Sequence, residues 1–384
     1  MYVLVIYSLL AGLLLVQMAG SFKQGRNIEL VVFFLLMAFF ALRFNLGPDT
    51  GTYYYIFQRV SSPIADSLKY HMQRNVGFNI LLYYCKVIFK NYQMFVLTVN
   101  LLILWLCGSN ILKYSKNILF SALLFIGSGI LEVYYSSGIR QMLSMAVFFY
   151  AFYRFLPKKQ YWQYELLSLV AFSFHEIGII TFFIPLLDMY LHALQKNPQK
   201  TVRWSIVLCA VLTLVVSYLL PYLSSTLGYS ITITHGLIYF AKPSFSFMGL
   251  AMEIVFGVML WLFWNAADPR QLSEFDKLQM AVIFLSIGLY IIGCRYSIIS
   301  RLSDYLQIVM IILIPNLIAA MGGKKQMLCF MFTALLNGFL LYSDLTYKCT
   351  RLSVHESRTV TLTNYTYFTV FDNDQIQNYL EIIQ

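Results

Sequence analysis

The chain is predicted to be an all-α, polytopic integral membrane protein, and three observations predict it. Hydrophobic residues make up 59% of the 384 and charged residues 11%, less than half the charged share of an ordinary soluble domain. Apolar stretches long enough to approach a ~30 Å hydrocarbon core recur along most of the length. The Lys and Arg residues sit singly or in pairs between those stretches, which is what membrane topology requires. The net charge of +10 is therefore a property of the loops, and a nucleic-acid partner is not expected.

In chain order, the candidate spans lie near residues 1–19, 28–42, 92–112, 118–135, 140–156, 162–174, 178–191, 204–223, 247–265, 278–293, 303–321 and 326–343. That is about twelve transmembrane helices in one domain over residues 1–343, followed by a polar C-terminal tail over 344–384. The first run starts at Met1 with no basic leader or convincing cleavage site, so it is expected to stay as a membrane helix. The six cysteines, Cys85, Cys107, Cys209, Cys294, Cys329 and Cys349, have no close pair and suggest neither a disulfide framework nor a zinc site.

Two segments are decided by the positive-inside rule. Val76 to Phe89 is short for a span and carries Lys86. Keeping residues 43–91 outside places the pairs Lys113 and Lys116, Lys158 and Lys159, and Lys324 and Lys325 all inside. The segment is therefore expected to be re-entrant or interfacial. The same parity splits residues 162–191 into two short helices meeting near His175-Glu176-Ile177-Gly178, which puts the cluster of Lys196, Lys200 and Arg203 inside. The break then faces outward, and irregular backbone at membrane depth is tolerated only against protein or a watery cavity.

On this topology both termini face outside, and Arg43, Asp49, Arg140, His175, Glu176, Arg295, Arg301 and Asp304 share the outer boundary. The segment Ser136-Ser137-Gly138-Ile139-Arg140-Gln141 sets an arginine at the start of an apolar helix, and Arg301-Leu302-Ser303-Asp304-Tyr305 does the same. Helices starting at that face present their free amides and positive dipole ends to it. An arginine fork there suits phosphate or pyrophosphate. The alternative for each arginine, and the better one for Arg295 alone, is an anchor reaching lipid headgroups.

His175-Glu176 lacks the second histidine of a zincin helix, so no metal is expected there. Asp372-Asn373-Asp374 has an Asp-x-Asp spacing but no nucleotide-binding unit around it, and is taken as solvated tail. The alternation around Val360, Leu362 and Tyr365 suggests a small hairpin. Tyr53-Tyr54-Tyr55 and Tyr134-Tyr135 fit an interfacial aromatic belt better than a sugar platform, since the chain holds 29 tyrosines. No P-loop and no sustained repeat is evident, which argues against a pump or a repeat-built transporter.

Four blocks together resemble a known family. Arg43-x-x-x-Gly47-x-Asp49-x-x-x-Tyr53, Gly138-Ile139-Arg140-Gln141, Phe174-His175-Glu176, and Arg301-Leu302-Ser303-Asp304-Tyr305 leading to Pro315 are similar to the EpsG group of Wzy-type polysaccharide polymerases, in the same order. The Gly-x-Arg-Gln block is the most specific. One departure is Asn75, where members often carry a glutamate two places before the glycine of the Gly77-Phe78 pair.

The resemblance implies a metal-independent, GT-C-like glycosyltransferase with no cofactor, in the bacterial cytoplasmic membrane with its active site facing outside. It would join undecaprenyl-pyrophosphate-linked repeat units into an exopolysaccharide, capsule or O-antigen chain, with a chain-length regulator and a flippase as candidate partners. His175 or Glu176 would be the base, with His175 preferred for its near-neutral pKa. Arg140 and Arg301 would clamp pyrophosphate with Gln141 orienting, while Arg43, Asp49, Arg295, Asp304 and Tyr305 would bind substrate. The alternatives are a GT-C transferase using a sugar on polyprenyl phosphate, with Asp49 as its acid-base residue, and a lipid-linked glycan flippase. A flippase needs basic groups in its cavity but no histidine-carboxylate pair at an outer break.

Overall fold

The computed structural model describes residues 2–18, 26–44, 49–60, 75–128, 130, 138–196, 247–293, 297–321, 323–355, 361–362, 368–372 and 374–376. Among them the regular structure is helical and no strand is present, as expected. The helices are α1 Tyr2–Met18, α2 Arg26–Ala41, α3 Thr50–Arg59, α4 Val76–Phe89, α5 Tyr92–Tyr114, α6 Ile118–Gly127, α7 Ile139–Phe155, α8 Tyr161–Phe174, α9 Ile184–Lys196, α10 Phe247–Ala266, α11 Glu274–Gly293, α12 Ser297–Gln307, α13 Met310–Ala319 and α14 Gly323–His355. A 3-10 helix, Glu176–Phe183, lies between α8 and α9.

By length and composition, three described helical runs can cross a membrane: Tyr92–Tyr114, Glu176–Ala193 and Gly323–Tyr347. A fourth is added if Arg301–Gln307 and Met310–Ala319 are taken as one. Shorter apolar helices such as α1, with 17 residues, reach about 26 Å at 1.5 Å per residue, one turn short of a ~30 Å core. The span expected at 204–223 lies outside the described residues.

Three elements differ from the sequence reading. Helix α3 is new, because its ten residues are too polar to register as a span. The helix expected at 303–321 is two, with a turn at Ile308 and Val309; there Ile311 and Ile312 bond three residues back instead of four. Pro315, which has no N–H and crowds the preceding turn, sits inside the second piece. Helix α14 runs past the boundary expected at residue 343, as far as His355.

The chain forms two compact units. The first comprises residues 1–181, 263–272 and 308–384. Its core helix is α5, apolar on every side and capped by the Asn91 side chain, which accepts from Gln93 N–H at 2.8 Å. Helix α7 runs parallel to α5: Asn110 Nδ2 donates to Phe149 O at 2.7 Å, and Tyr114 packs on Tyr153 with ring centroids 5.5 Å apart. A tight 3-10 turn, Leu156–Lys158, folds α8 back against α7. The Ser144 hydroxyl donates to Ala171 O across that pair. On the far side of the unit α1 is pinned to α14 by Tyr7 Oη, which donates to Ala334 O at 2.6 Å.

Part of the tail is packed and not solvated. Phe368, Val370 and Ile376 are buried, and Thr369 forms an isolated antiparallel bridge with Arg43. Asp372 uses its carboxylate within the tail, accepting from the Thr369 N–H and hydroxyl at 2.6 and 2.9 Å. The hairpin expected around Val360, Leu362 and Tyr365 falls mostly outside the described residues.

The second unit comprises residues 182–262 and 273–307. Helices α11 and α12 pack closely, tied by Ser286 Oγ, which lies 3.1 Å from Ser303 Oγ.

Candidate functional site

In the first unit four helix ends converge. The geometry starts from the contact between Ser144 and Ala171. Moving one turn toward the start of α7 leads from Ser144 to Arg140, and one turn toward the end of α8 leads from Ala171 to His175, each about 6 Å along its axis. Because α7 and α8 are antiparallel, Arg140 and His175 occupy the same end of the pair. The parallel α5 brings Asn100 to that level, and its Nδ2 donates to Arg43 O at 2.8 Å.

The α8 end is built by an interrupted helix. His175 leaves the helical region at φ −153 and ψ 131, although its N–H still donates to Ala171 O at 3.1 Å. Gly178 lets the 3-10 segment return against α8: a Cβ there would sit 2.9 Å from Phe172 N and 3.0 Å from Ala171 O. Tyr164 Oη donates to Thr181 O at 2.9 Å and holds that return. The break expected at His175-Glu176 is therefore present. His175 is half-buried and Glu176 exposed.

Ile177 N–H donates to His175 Nδ1 at 3.3 Å, an arrangement that suits the neutral ring with its proton on Nε2.

Gly77 places the start of α4 beside this break, since a Cβ on Gly77 would run into the Ser173 side chain. One residue on, Phe78 packs on Tyr53 of α3 with centroids 5.7 Å apart. Lys86 then donates to Gln58 O and Val60 O at 2.8 and 2.7 Å, so α3 lies along α4 in the same direction. The Arg140 guanidinium stands over Tyr53, 5.2 Å from the ring centroid. Burial pushes the Tyr53 phenol above its ordinary pKa; Arg140 pulls it back, and the Asp49 carboxylate adds to the rise. Asp49 is exposed and precedes α3 without making a side-chain cap.

Arg140 occupies the unfavourable end of its helix for a cation, where the dipole is positive and an anion is stabilised. Its Nε is buried without a hydrogen-bond partner, and so is Nε2 of the neighbouring Gln141. Buried donors of this kind are unusual in native proteins. Arg43 is 1% exposed, so in this state it does not open to solvent.

The second unit holds Arg301, Asp304 and Tyr305, all on α12. Arg301 is exposed, Asp304 half-buried and Tyr305 buried. Beside them is a group that sequence reasoning missed: Gln307 Nε2 donates to Glu253 Oε1 at 2.7 Å and lies 3.3 Å from Ser303 Oγ. Glu253 Oε2 is buried without a partner. A single carboxylate inside the apolar run 247–265 was the available signal. Arg295 lies outside the described residues. Among the described residues no three His, Cys, Asp or Glu side chains are grouped to hold a metal ion.

The sequence profile of the EpsG family matches residues 27–363. The chain belongs to the EpsG family. No curated protein and no solved structure gives a match. The family region takes in every candidate residue from Arg43 to Tyr305 and ends before Phe368. Family membership and the apolar helices together make this a membrane protein with a place in polysaccharide biosynthesis.

Proposed function

We propose that this EpsG-family protein polymerises undecaprenyl-pyrophosphate-linked oligosaccharide repeat units on the outer face of the bacterial cytoplasmic membrane. The product is an exopolysaccharide, capsule or O-antigen chain. The observation that carries this reading is the convergence of the Arg140 fork, at a helix start, with the His175-Glu176 break in one end of one unit. A topology of twelve spans, with both termini outside and Val76 to Phe89 not crossing, is part of the proposal. So is the GT-C-like, metal-independent class.

The reaction breaks the bond between the anomeric carbon of the growing glycan and its pyrophosphate and forms a bond from that carbon to a hydroxyl of the incoming repeat unit. The hydroxyl proton goes to a base, and undecaprenyl pyrophosphate leaves with one further negative charge, to be stabilised on its oxygens. Arg140 supplies a planar donor fork for those oxygens, with the unpartnered Gln141 amide as a further donor. Arg301 carries the same fork in the second unit, with Asp304 to orient it.

At the break His175 and Glu176 are the two candidate bases for the hydroxyl proton; we take the exposed Glu176 as the base, because His175 Nδ1 already accepts from Ile177 N–H. In this reading the exposed Asp49 binds sugar hydroxyls, and the buried Arg43 positions the residues around it. A chain-length regulator and a flippase are the proposed protein partners. Purified protein in detergent or nanodiscs, supplied with lipid pyrophosphate-linked repeat units, is expected to lengthen them. Absence of longer products would overturn the reading.

A further inference from the structure

We propose that the C-terminal segment from Phe368 to Ile376 is a clamp that positions Arg43, and that Thr369 and Asp372 are positioning residues of the substrate site. This rests on the polymerase reading above for its functional half, while its structural half stands on hydrogen bonds alone.

Arg43 lies just beyond the last residue of α2, its N–H still donating to Phe40 O at 3.2 Å. Two elements distant in sequence also hold its backbone. On one side Asn100 Nδ2 donates to Arg43 O at 2.8 Å and to Ala41 O at 3.2 Å. On the other, Phe44 N–H donates to Phe368 O and Val370 N–H donates to Leu42 O, both at 2.8 Å. These two bonds flank the antiparallel bridge of Arg43 with Thr369. The segment is anchored by the buried side chains of Phe368, Val370 and Ile376. Asp372 keeps it in shape by accepting from both the N–H and the hydroxyl of Thr369, while Ile376 N–H donates to Asp372 O at 2.9 Å.

The buried Arg43 positions the residues around it, and a supporting shell that loosens by about 1 Å can cost up to ~10²-fold in turnover or binding. The clamp supplies that support where α2 ends. It lies beyond residues 27–363, the region matched by the family profile, so the profile does not assign it a role.

The test compares the parent chain with full-length Asp372→Ala and Asp372→Asn and with a chain ending after Leu362, each purified in detergent. The first readout is hydrogen exchange at the Phe44 and Val370 amides, which needs no activity. Both amides are expected to be protected in the parent chain and to exchange fast in Asp372→Ala, with Phe44 also fast in the shortened chain. Unchanged protection overturns the clamp. The second readout is polymerisation of pyrophosphate-linked repeat units: KM is expected to rise roughly tenfold in Asp372→Ala and the shortened chain, with kcat changing far less. Asp372→Asn keeps an acceptor oxygen for Thr369 and is expected to recover most of the loss. Unchanged KM, or a fall in kcat that simply tracks a lost melting temperature, overturns the positioning role. If the parent chain makes no polymer while the exchange result holds, the polymerase reading fails and the clamp stands.

Discussion

The Arg140 guanidinium stands 5.2 Å from the centroid of the Tyr53 ring, joining the first turn of α7 to α3. A cation over a ring is worth about 0.5–2 kcal/mol, depending on how dry the contact is. Tyr53 thereby fixes the direction of the fork.

Substitution separates charge from shape at this contact. Arg140→Lys keeps the charge and loses the planar fork, so polymerisation is expected to fall by roughly tenfold or more while expression is retained. Tyr53→Phe keeps the ring and is expected to remain closer to the parent, whereas Tyr53→Ala falls toward the Arg140→Lys level. In vitro chain extension is the measurement. Normal extension by Arg140→Lys would mean that the arginine merely anchors the helix.

At the helix break, Glu176→Gln is expected to slow polymer formation by about 10²- to 10⁴-fold with substrate binding preserved. His175→Ala is expected to cost less, as the loss of one donor. Single-turnover rates of the two variants decide between them, and the reverse order would return the base role to His175.

Close approach makes two glycines necessary. Gly178→Ala brings a Cβ to 2.9 Å from backbone that cannot yield, and Gly77→Ala meets Ser173. Each is expected to lower stability by about 1–3 kcal/mol, read as a lower melting temperature in detergent. Gly12 has nothing within 4 Å of its Cβ position, so Gly12→Ala is expected to be neutral or to stabilise by up to ~1 kcal/mol. Equal melting temperatures for all three variants would contradict the packing described.

Single cysteines near Tyr70 and at Asn91, on a background lacking the native cysteines, are both expected to react with an impermeant reagent applied from outside. Reaction at only one of them would show that Val76 to Phe89 crosses the membrane.

The break at His175 was legible because charge parity requires two short helices there, and hydrophobic length marks α1, α5 and α7 closely. Other features depend on contacts between distant positions. Arg140 and Tyr53 meet only because Gly77 admits Ser173 and α3 lies along α4, none of which periodicity encodes. Helix α3 was missed because its apolar share is low, and Glu253 because one carboxylate does not disturb a long apolar run. The tail's role was hidden for a similar reason: two backbone hydrogen bonds hold Phe368 and Val370 against Leu42 and Phe44, and backbone pairing leaves little trace in composition.

The most direct test of the polymerase assignment is the purified protein alone with undecaprenyl-pyrophosphate-linked repeat units and a chelator. The predicted result is a ladder of products growing by one repeat unit per step, with lipid pyrophosphate released, insensitive to chelator and suppressed in Arg140→Lys. A parent chain that leaves intact substrate unextended, or extension that stops when chelator is added, would contradict the account.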